Sequence, residues 1–256
     1  MPTPSIDRLA AEGMRFTDAH SPAAVRTPSR YALLIGQMTF RVPRGGTVFT
    51  GVGGPSLVAP GRLTLATLLR AAGSATAAVG KWHLLDHVVG ELLRTLDDLG
   101  VAKDTLVVLT SDNGPETTTV VHMRGDHGHD PARPWRGMKR DGWEGGHRVP
   151  FVVRWPGKVK AGTTCDQLVC GTDLAATLAA VVGTPLPDAA AEDSFDLLPA
   201  LLGRDAGPVR PFLIAQGFGG GRTLSVRKGT WKYLNHAGSG GNDYAGPALK
   251  PFALPE

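Results

Sequence analysis

The apolar positions of this chain recur with a helical period in several segments that carry start or stop signals. The first helix is predicted from Pro4 to Gly13, and the second begins at Thr27-Pro28 and ends at Gly36. The other helices are each followed by a glycine and are predicted over 63–72, 86–99 and 172–182.

Short apolar runs between these helices predict strands. They lie at 75–79, 105–110, 149–155 and 212–215, and the stretch at 14–19 is predicted to be extended. Because helices and strands alternate, the order favours a parallel sheet covered by helices. The predicted fold class is therefore α/β, with a mostly parallel sheet flanked by helices.

A hairpin is predicted near the end of the chain. Segments 223–228 and 231–235 are joined by Gly229-Thr230, which adds a small C-terminal antiparallel element beside the main sheet. The polar segment 111–147 and the Gly- and Pro-rich segment 39–61 show no sustained period, so both are predicted to be loops.

Length and composition narrow the class of protein. The 256 residues are 42% hydrophobic, which suits one large core with a small appendage. No apolar run reaches the roughly 20 residues of a membrane span. The chain carries a net charge of +4 in dispersed basic residues, which favours a small anionic substrate slightly over a neutral one. Nucleic-acid binding is disfavoured because it needs a basic stripe with interleaved aromatic residues, and aromatic residues make up only 6% of the chain. Cys165 and Cys170 can form at most one disulfide and are interpreted as small apolar residues.

Polar clusters follow two of the predicted strands. Strand 75–79 runs into Lys81 and His83, and strand 105–110 runs into Asp112 and Asn113. Ligands in open α/β sheets gather beyond the carboxyl ends of strands. Carboxylate and amide oxygens suit Ca²⁺ or Mg²⁺, while a lysine and a histidine suit an anion and a leaving group. Asp-Asn-Gly is equally good turn chemistry, so a simple turn stays open at this point.

Seven blocks of the chain then carry a family resemblance. They are TPSIDRLAAEGMRFTDAHS, TPSRYALLIG, RLTLATLLRAAG, AAVGKWHL, LDDLGVAKDTLVVLTSDNGPE, WRGMKRDGWEGGHRVPFVVRWPGKVKAG and VRKGTWKYL. In this order, from residue 3 to about 234, the chain resembles the sulfatases, of the formylglycine-dependent arylsulfatase type in the alkaline-phosphatase-like superfamily. The resemblance implies an alkaline-phosphatase-like fold and hydrolysis of sulfate esters with a bound Ca²⁺ or Mg²⁺.

The resemblance also assigns roles to residues of this chain. Asp112 and Asn113 match metal ligands, and Lys139 matches a sulfate-binding lysine. Lys81 and His83 match the pair beside the nucleophile. These assignments agree with the chemistry, because fixed cations stabilise the charge that develops on sulfate oxygens in the transition state.

The nucleophile position departs from the family pattern. The family motif is CxPSR or SxPSR, whose first residue becomes formylglycine, whereas this chain has Arg26 there, followed by TPSR. Arg30 matches the arginine that steadies the nucleophile. An arginine is neither a nucleophile nor a precursor of formylglycine. Thr27 is interpreted as the helix cap. Since loss of a nucleophile costs on the order of 10⁶ in turnover, the chain is predicted to be poorly active or inactive.

The resemblance further implies that parts of the family are missing. The family begins with a central strand that ends in paired aspartates, and it has a longer segment between His83 and Asp86. Asp112 and Asn113 alone would hold Ca²⁺ weakly, because it takes six or more ligands. We expect 1–205 to be an incomplete sulfatase catalytic domain and 206–256 to begin a smaller C-terminal antiparallel subdomain. The family is often periplasmic or secreted, but no signal peptide is recognisable, so localisation stays open.

Histidines in the 111–147 segment form a weaker candidate site. His122, His127 and His129 with Asp126 and Asp130 resemble a zinc cluster in composition. No cysteine joins them and no fixed helical spacing holds them together, so a solvated loop is the preferred interpretation.

Three functions follow from the sequence. The leading one is a sulfatase-family hydrolase acting on a small-molecule or carbohydrate sulfate ester, with neither nucleic acid nor membrane as a partner. A non-catalytic anion-binding pseudoenzyme would keep the cationic residues without turnover. A related phosphoryl or phosphonate hydrolase is the third, disfavoured because the TPSR and VGKWH blocks look more like sulfatases.

Overall fold

A computed structural model of the protein describes residues 2–42, 56–80, 85–204, 207–219, 223–247 and 249–250. The α-helices of these residues are α1 (Pro4–Ala11), α2 (Arg26–Ile35), α3 (Leu65–Ala71), α4 (Leu85–Asp98), α5 (Thr117–His127), α6 (Glu144–His147), α7 (Leu174–Val181) and α8 (Leu198–Leu201). The strands are β1 (Met14–Phe16), β2 (Ala19–His20), β3 (Val107–Thr110), β4 (Phe151–Arg154), β5 (Thr163–Cys165), β6 (Val169–Cys170), β7 (Leu213–Gln216), β8 (Leu224–Lys228) and β9 (Trp231–Leu234). None of the described helices is long and apolar enough to cross a membrane.

The main sheet has four strands in the order β3-β4-β1-β5. Strand β4 runs antiparallel to both neighbours, and β5 runs parallel to β1. Strands β1, β3 and β5 therefore share one direction, and β4 runs against them. The α/β class is confirmed, with one reversed strand that periodicity could not reveal, since strand direction leaves no mark on the apolar pattern.

Helices cover both faces of this sheet because alternate residues of β4 point to opposite sides. Val152 packs with Leu9 of α1 and Leu93 of α4 on one face. Phe151 and Val153 belong to the larger cluster on the other face, together with α7 and α8. Each fully buried apolar side chain of this kind contributes about 1.5–3 kcal/mol, so the helices are held mainly by these contacts.

The C-terminal sheet has the order β7-β8-β9 and is antiparallel throughout. The predicted hairpin is thereby confirmed as β8 and β9, with β7 added to it. Its inward face carries Arg227 and Lys232, whereas Trp231 and Tyr233 are 84% and 68% exposed on the other face. The division at 205/206 into two domains stays a prediction.

The predicted strand at 75–79 is wrong. Residues 74–80 form no strand in the structure, and Val79 is 54% exposed. The run is mostly alanine, which has a low strand propensity, and no described strand pairs with it. The predicted buried strand at 105–110 is β3, and it is only half-buried because it lies at the sheet edge.

The predicted loop at 111–147 is also wrong, since it contains α5 and α6. Among the residues of α5 only Val120 is buried. A helix that buries so little has no apolar stripe, so its sequence gives no helical period. Thr27 is not the cap of α2, because Val25 holds that position and Thr27 lies in the first turn.

Candidate active site

The candidate site forms where the start of α2, the end of β3 and the segment 136–143 meet. We call 136–143 the lysine loop, because it carries Lys139. The backbone N–H of Lys139 donates to Pro115 O at 2.9 Å, and that of Arg140 donates to Ala24 O at 2.9 Å. These two bonds place the lysine loop between the segment after β3 and the segment before α2.

Arg30 and Asp112 form an ion pair across this junction. The Arg30 Nε lies 2.6 Å from Asp112 Oδ2, and the second contact, from Nη2, is 2.5 Å. The Arg30 side chain is 49% exposed, so the pair adds little to stability. The ion pair instead fixes positions, because it joins Arg30 of α2 to Asp112, the candidate metal ligand that follows β3.

Asn113 has one satisfied end and one unsatisfied end. Its Nδ2 donates to Gly114 O at 2.9 Å, whereas its Oδ1 is buried and accepts no hydrogen bond. An unpaired buried acceptor of this kind costs about 1–3 kcal/mol, which a ligand could offset. Amide and carboxylate oxygens suit a hard cation, so Asn113 and Asp112 fit as part of a Ca²⁺ or Mg²⁺ site. They supply two of the six or more ligands that Ca²⁺ takes.

Lys139 is held by a carboxylate that sequence reasoning missed. Its Nζ lies 2.8 Å from Glu116 Oε2, and Arg140 Nη1 lies 2.6 Å from Glu116 Oε1. Burial opposes the charge on Glu116, but the bonds from Arg140 and Lys139 outweigh it and lower the pKa of Glu116 to about 2. All three residues of this contact lie inside the sulfatase-like blocks, Glu116 in SDNGPE and Lys139 and Arg140 next to each other in the WRGMKR segment.

Arg140 adopts an unusual backbone conformation. Its φ is 87°, in the left-handed region that a side chain disfavours. The Arg140 N–H donates to Ala24 O, as described above, and the Arg140 carbonyl accepts from the N–H of Phe218 at 2.9 Å. Such strain persists only where surrounding contacts fix it, and it is common at functional sites.

The lysine loop is also fixed from within by Asp141, which is fully buried. The Asp141 carboxylate accepts hydrogen bonds from Met138 N at 2.9 Å, Asn242 N at 2.9 Å and the Tyr244 hydroxyl at 2.5 Å. The position of Lys139 is therefore set by the C-terminal segment as well as by β3.

Arg26 is the first residue of α2, and Arg30 follows one turn later on the same face. The side chain at the nucleophile position is thus presented at a helix N-terminus, where free N–H groups favour anions.

A family model described as Sulfatase matches residues 1–85 and 84–184 of the chain. The match extends over more than half of the sequence. The chain belongs to the sulfatase family.

Individual sulfatases and related proteins support this assignment. The chain is 39% identical over 153 residues to N-acetylgalactosamine-6-O-sulfatase of Bacteroides thetaiotaomicron, a match that covers 59% of this chain and 29% of that protein. The chain therefore spans less than a third of the length of this curated relative.

Two solved structures share the fold. One, from Bacteroides thetaiotaomicron and described with the metabolism of multiple glycosaminoglycans, matches with a TM-score of 0.79 and 23% identity, covering 91% of this chain and 82% of that one. Phosphonate monoester hydrolase of Agrobacterium radiobacter matches with a TM-score of 0.59 and 15% identity, covering 95% and 84%. Both confirm the alkaline-phosphatase-like fold.

The other residues predicted for the site or for a metal cluster are not among the contacts described above. Lys81 and His83 fall outside the described residues, so their roles stay predictions. His122 and Asp126 are 77% and 66% exposed on α5, in agreement with a solvated surface rather than a zinc site. Cys165 and Cys170 are both free.

The chain also contains a buried polar cluster that its sequence did not predict. The side chains of His20, Glu144 and His147 have potential ligand atoms within 4.8 Å of one another. In the described part of the chain this is the only group of three or more His, Cys, Asp or Glu residues close enough to share a metal ion. The two histidines are 127 positions apart. No local spacing can reveal a pair that only the fold brings together.

Proposed function

We propose that this protein is a sulfatase-family hydrolase of sulfate esters and that its substrates are sulfated carbohydrates. The observation that carries the proposal is the placement of the lysine loop. It brings Lys139 beside the segment that follows β3, where Asp112 pairs with Arg30 of α2. The carbohydrate class is supported by the N-acetylgalactosamine-6-O-sulfatase relative.

The chemistry of sulfate-ester hydrolysis calls for this kind of arrangement. Negative charge develops on the bridging and peripheral oxygens, and fixed cations stabilise it most when they are already in place. Lys139 and Arg30 would supply such charge, Arg140 lies beside Lys139 on Glu116, and Lys81 is predicted to join them. His83 is predicted to donate the proton that the leaving alcohol needs.

A divalent cation belongs to this function. Sulfatases generally hold one, and Asp112 and Asn113 are the residues of this chain that would contribute to its coordination. When bound there, the cation supplies additional positive charge to the sulfate oxygens.

Arg26 favours a second candidate, a protein that binds sulfate esters without hydrolysing them. Its guanidinium stands at the first position of α2, where the family carries the formylglycine precursor. A cation at a helix N-terminus can hold an anion but cannot attack sulfur. Release of product from an aryl sulfate by the purified protein separates the two candidates.

Sulfate binding measured by calorimetry tests the shared part of both candidates. Lys139→Ala should weaken binding by about 10- to 100-fold, because a charged hydrogen bond is worth about 1.5–3 kcal/mol. Lys158→Ala, at an exposed lysine after β4, serves as the matched control and should bind like the parent protein.

Two results would contradict the proposal. The first is binding of sulfate that is indifferent to Lys139→Ala. The second is a preference for an aryl phosphate over the matching aryl sulfate, which would favour the phosphoryl or phosphonate hydrolase that shares this fold.

A further inference from the structure

A buried chain of hydrogen bonds links α6 to the C-terminal sheet. Lys232 Nζ lies 2.7 Å from His147 Nε2, and His147 Nδ1 lies 3.0 Å from His20 Nδ1. His20 Nε2 then lies 2.8 Å from Asp18 Oδ1. Both imidazoles are essentially inaccessible to solvent, at 0% and 1% exposure.

These contacts fix which nitrogen of each ring carries the proton. An ammonium group only donates, so His147 Nε2 accepts from Lys232 and its proton sits on Nδ1. His147 Nδ1–H then donates to His20 Nδ1, which leaves the His20 proton on Nε2, where it donates to Asp18. Each ring nitrogen then has a partner with both histidines neutral, and Arg227 Nη1, which lies 3.0 Å from His20 Nε2, donates to Asp18 Oδ1 at 2.5 Å.

Burial opposes positive charge on both rings, and nearby cations add to this at His147, whereas Asp18 and Glu144 favour positive charge on His20. Lys232 comes from β9, Arg227 from β8 and Arg148 from the residue after α6, and they face two carboxylates, Asp18 and Glu144. Arg227 and Arg148 both contact Asp18, and Lys232 lies 2.8 Å from Glu144. Three cations against two anions disfavour a metal ion here, although His20, Glu144 and His147 are close enough to share one.

The same cluster anchors the lysine loop. Glu144 and His147 form the helix that directly follows this loop, and the His147 carbonyl accepts from Ser21 N at 2.7 Å. Lys232 and Arg227 attach the other side of the cluster to the C-terminal sheet. Any charge that enters the histidine pair therefore acts on the segment that places Lys139.

We propose that the His20–His147 pair is an acid-operated release, in which protonation breaks a hydrogen bond of the pair and loosens the lysine loop and α6 from the C-terminal sheet. A proton added to His20 enters at Nδ1 and turns the shared N–H···N contact into two facing donors, whereas a proton added to His147 enters at Nε2 and faces the Lys232 ammonium. Either proton also places a fourth positive charge among Lys232, Arg227 and Arg148. The inference concerns the fold around the loop and does not depend on the reaction proposed above.

Burial supports the direction of this response. It lowers the pKa of His20, and burial together with Lys232 lowers the pKa of His147 well below its ordinary value of 6.5. The closed form therefore stays neutral where a released histidine would take up a proton. The closed form is fully favoured above pH 6.5 and is progressively lost as the pH falls below it.

The size of the effect follows from proton linkage. The opening constant should rise about tenfold per pH unit for each proton taken up, and up to about a hundredfold when both histidines take part. Glu144 and Asp18 have lowered pKa values in the closed form, so they add to the response only once the pH falls to the ordinary carboxylate range, where the released carboxylates begin to take up protons.

Hydrogen exchange followed by mass spectrometry between pH 4.5 and 7.5, corrected for intrinsic exchange, tests the release. Protection of residues 136–148 should fall steeply below pH 6.5 while the core segment 169–182 stays protected. His20→Gln/His147→Gln should remove the pH dependence. His87→Gln and His122→Gln, at exposed histidines, should retain it.

Lys232→Met provides a second test whose direction is fixed. It removes the cation beside His147 and leaves Glu144 facing the ring, so the closed form holds a proton more easily and the pH dependence of opening should become smaller. Histidine NMR titration of the parent protein reports both rings without any substitution. Protection of 136–148 that is flat across this range, a pH dependence that persists in the double variant, or a pH dependence in Lys232→Met as steep as in the parent protein would each overturn the proposal.

Discussion

At the scale of single residues, the candidate site contains one buried polar atom without a hydrogen-bond partner and one carboxylate in an ion pair. Asn113 buries an acceptor that nothing in the protein satisfies, and Asp112 is already paired with Arg30. Both residues were predicted, because Asp-Asn directly follows a recognisable strand. Glu116 was missed because a single glutamate after Gly-Pro carries no chemical signature until the fold brings Lys139 to it.

Asn113→Ala tests the metal assignment. Ca²⁺ at ten times its Kd should stabilise the parent protein by about 1.4 kcal/mol, a rise of about 3–6 °C in Tm. The variant should lose this rise, because its side chain has no oxygen ligand.

Asp98→Ala, at an exposed carboxylate on α4, is the control and should keep the response to Ca²⁺. Thermal melts with Ca²⁺ and with chelator measure both. An equal rise in Tm for Asn113→Ala and the parent protein would exclude Asn113 as a ligand.

At the scale of elements, the end of β3 and the start of α6 approach closely at glycines. Gly114 N donates to Gly146 O at 2.8 Å, and a Cβ at Gly114 would overlap the carbonyl oxygen of Gly145. Most helices and the C-terminal hairpin were predictable, since glycines and periodic apolar residues mark them. Helix α5 was not, because it buries only Val120, and 75–79 was misassigned because an apolar run says nothing about whether a partner strand is present.

Gly114→Ala should destabilise the protein by about 2 kcal/mol or more, because the clash is with backbone that cannot rotate away. Urea unfolding curves give the change in the free energy of unfolding.

Gly125→Ala is the matched control, since Gly125 lies inside α5 with open space around the added methyl group. It should stabilise the protein by about 0.5–1 kcal/mol through the better helix propensity of alanine. Equal effects of the two substitutions would show that the approach at Gly114 is looser than the structure indicates.

At the scale of the whole molecule, the hydrophobic core between the main sheet and its helices stabilises the elements that carry the candidate site. Phe151 is 1% exposed and packs edge-on against Phe16, with ring centroids 5.3 Å apart. Such a core is predictable in kind from the apolar pattern. The reversal of β4 and the contact between the C-terminal segment and the lysine loop were not, because both depend on pairings far apart in the sequence.

Phe151→Ala should lower the free energy of unfolding by about 3–5 kcal/mol, the range for a buried aromatic whose space cannot be refilled. Trp231→Ala, at the 84% exposed position of the outer sheet face, should change it by less than about 0.5 kcal/mol. Chemical denaturation of both variants measures the contrast, and a small effect at Phe151 would mean that this core repacks.

Under the proposed function, an anion that binds Lys139 has to replace Glu116, with which Lys139 is already paired. Glu116 remains a carboxylate at any physiological pH, and Arg140 keeps hold of it when Lys139 turns away. An incoming anion must therefore compete with a resident one. Weakly pairing ions such as halides should lose this competition, and an oxyanion able to engage several donors at once should win it.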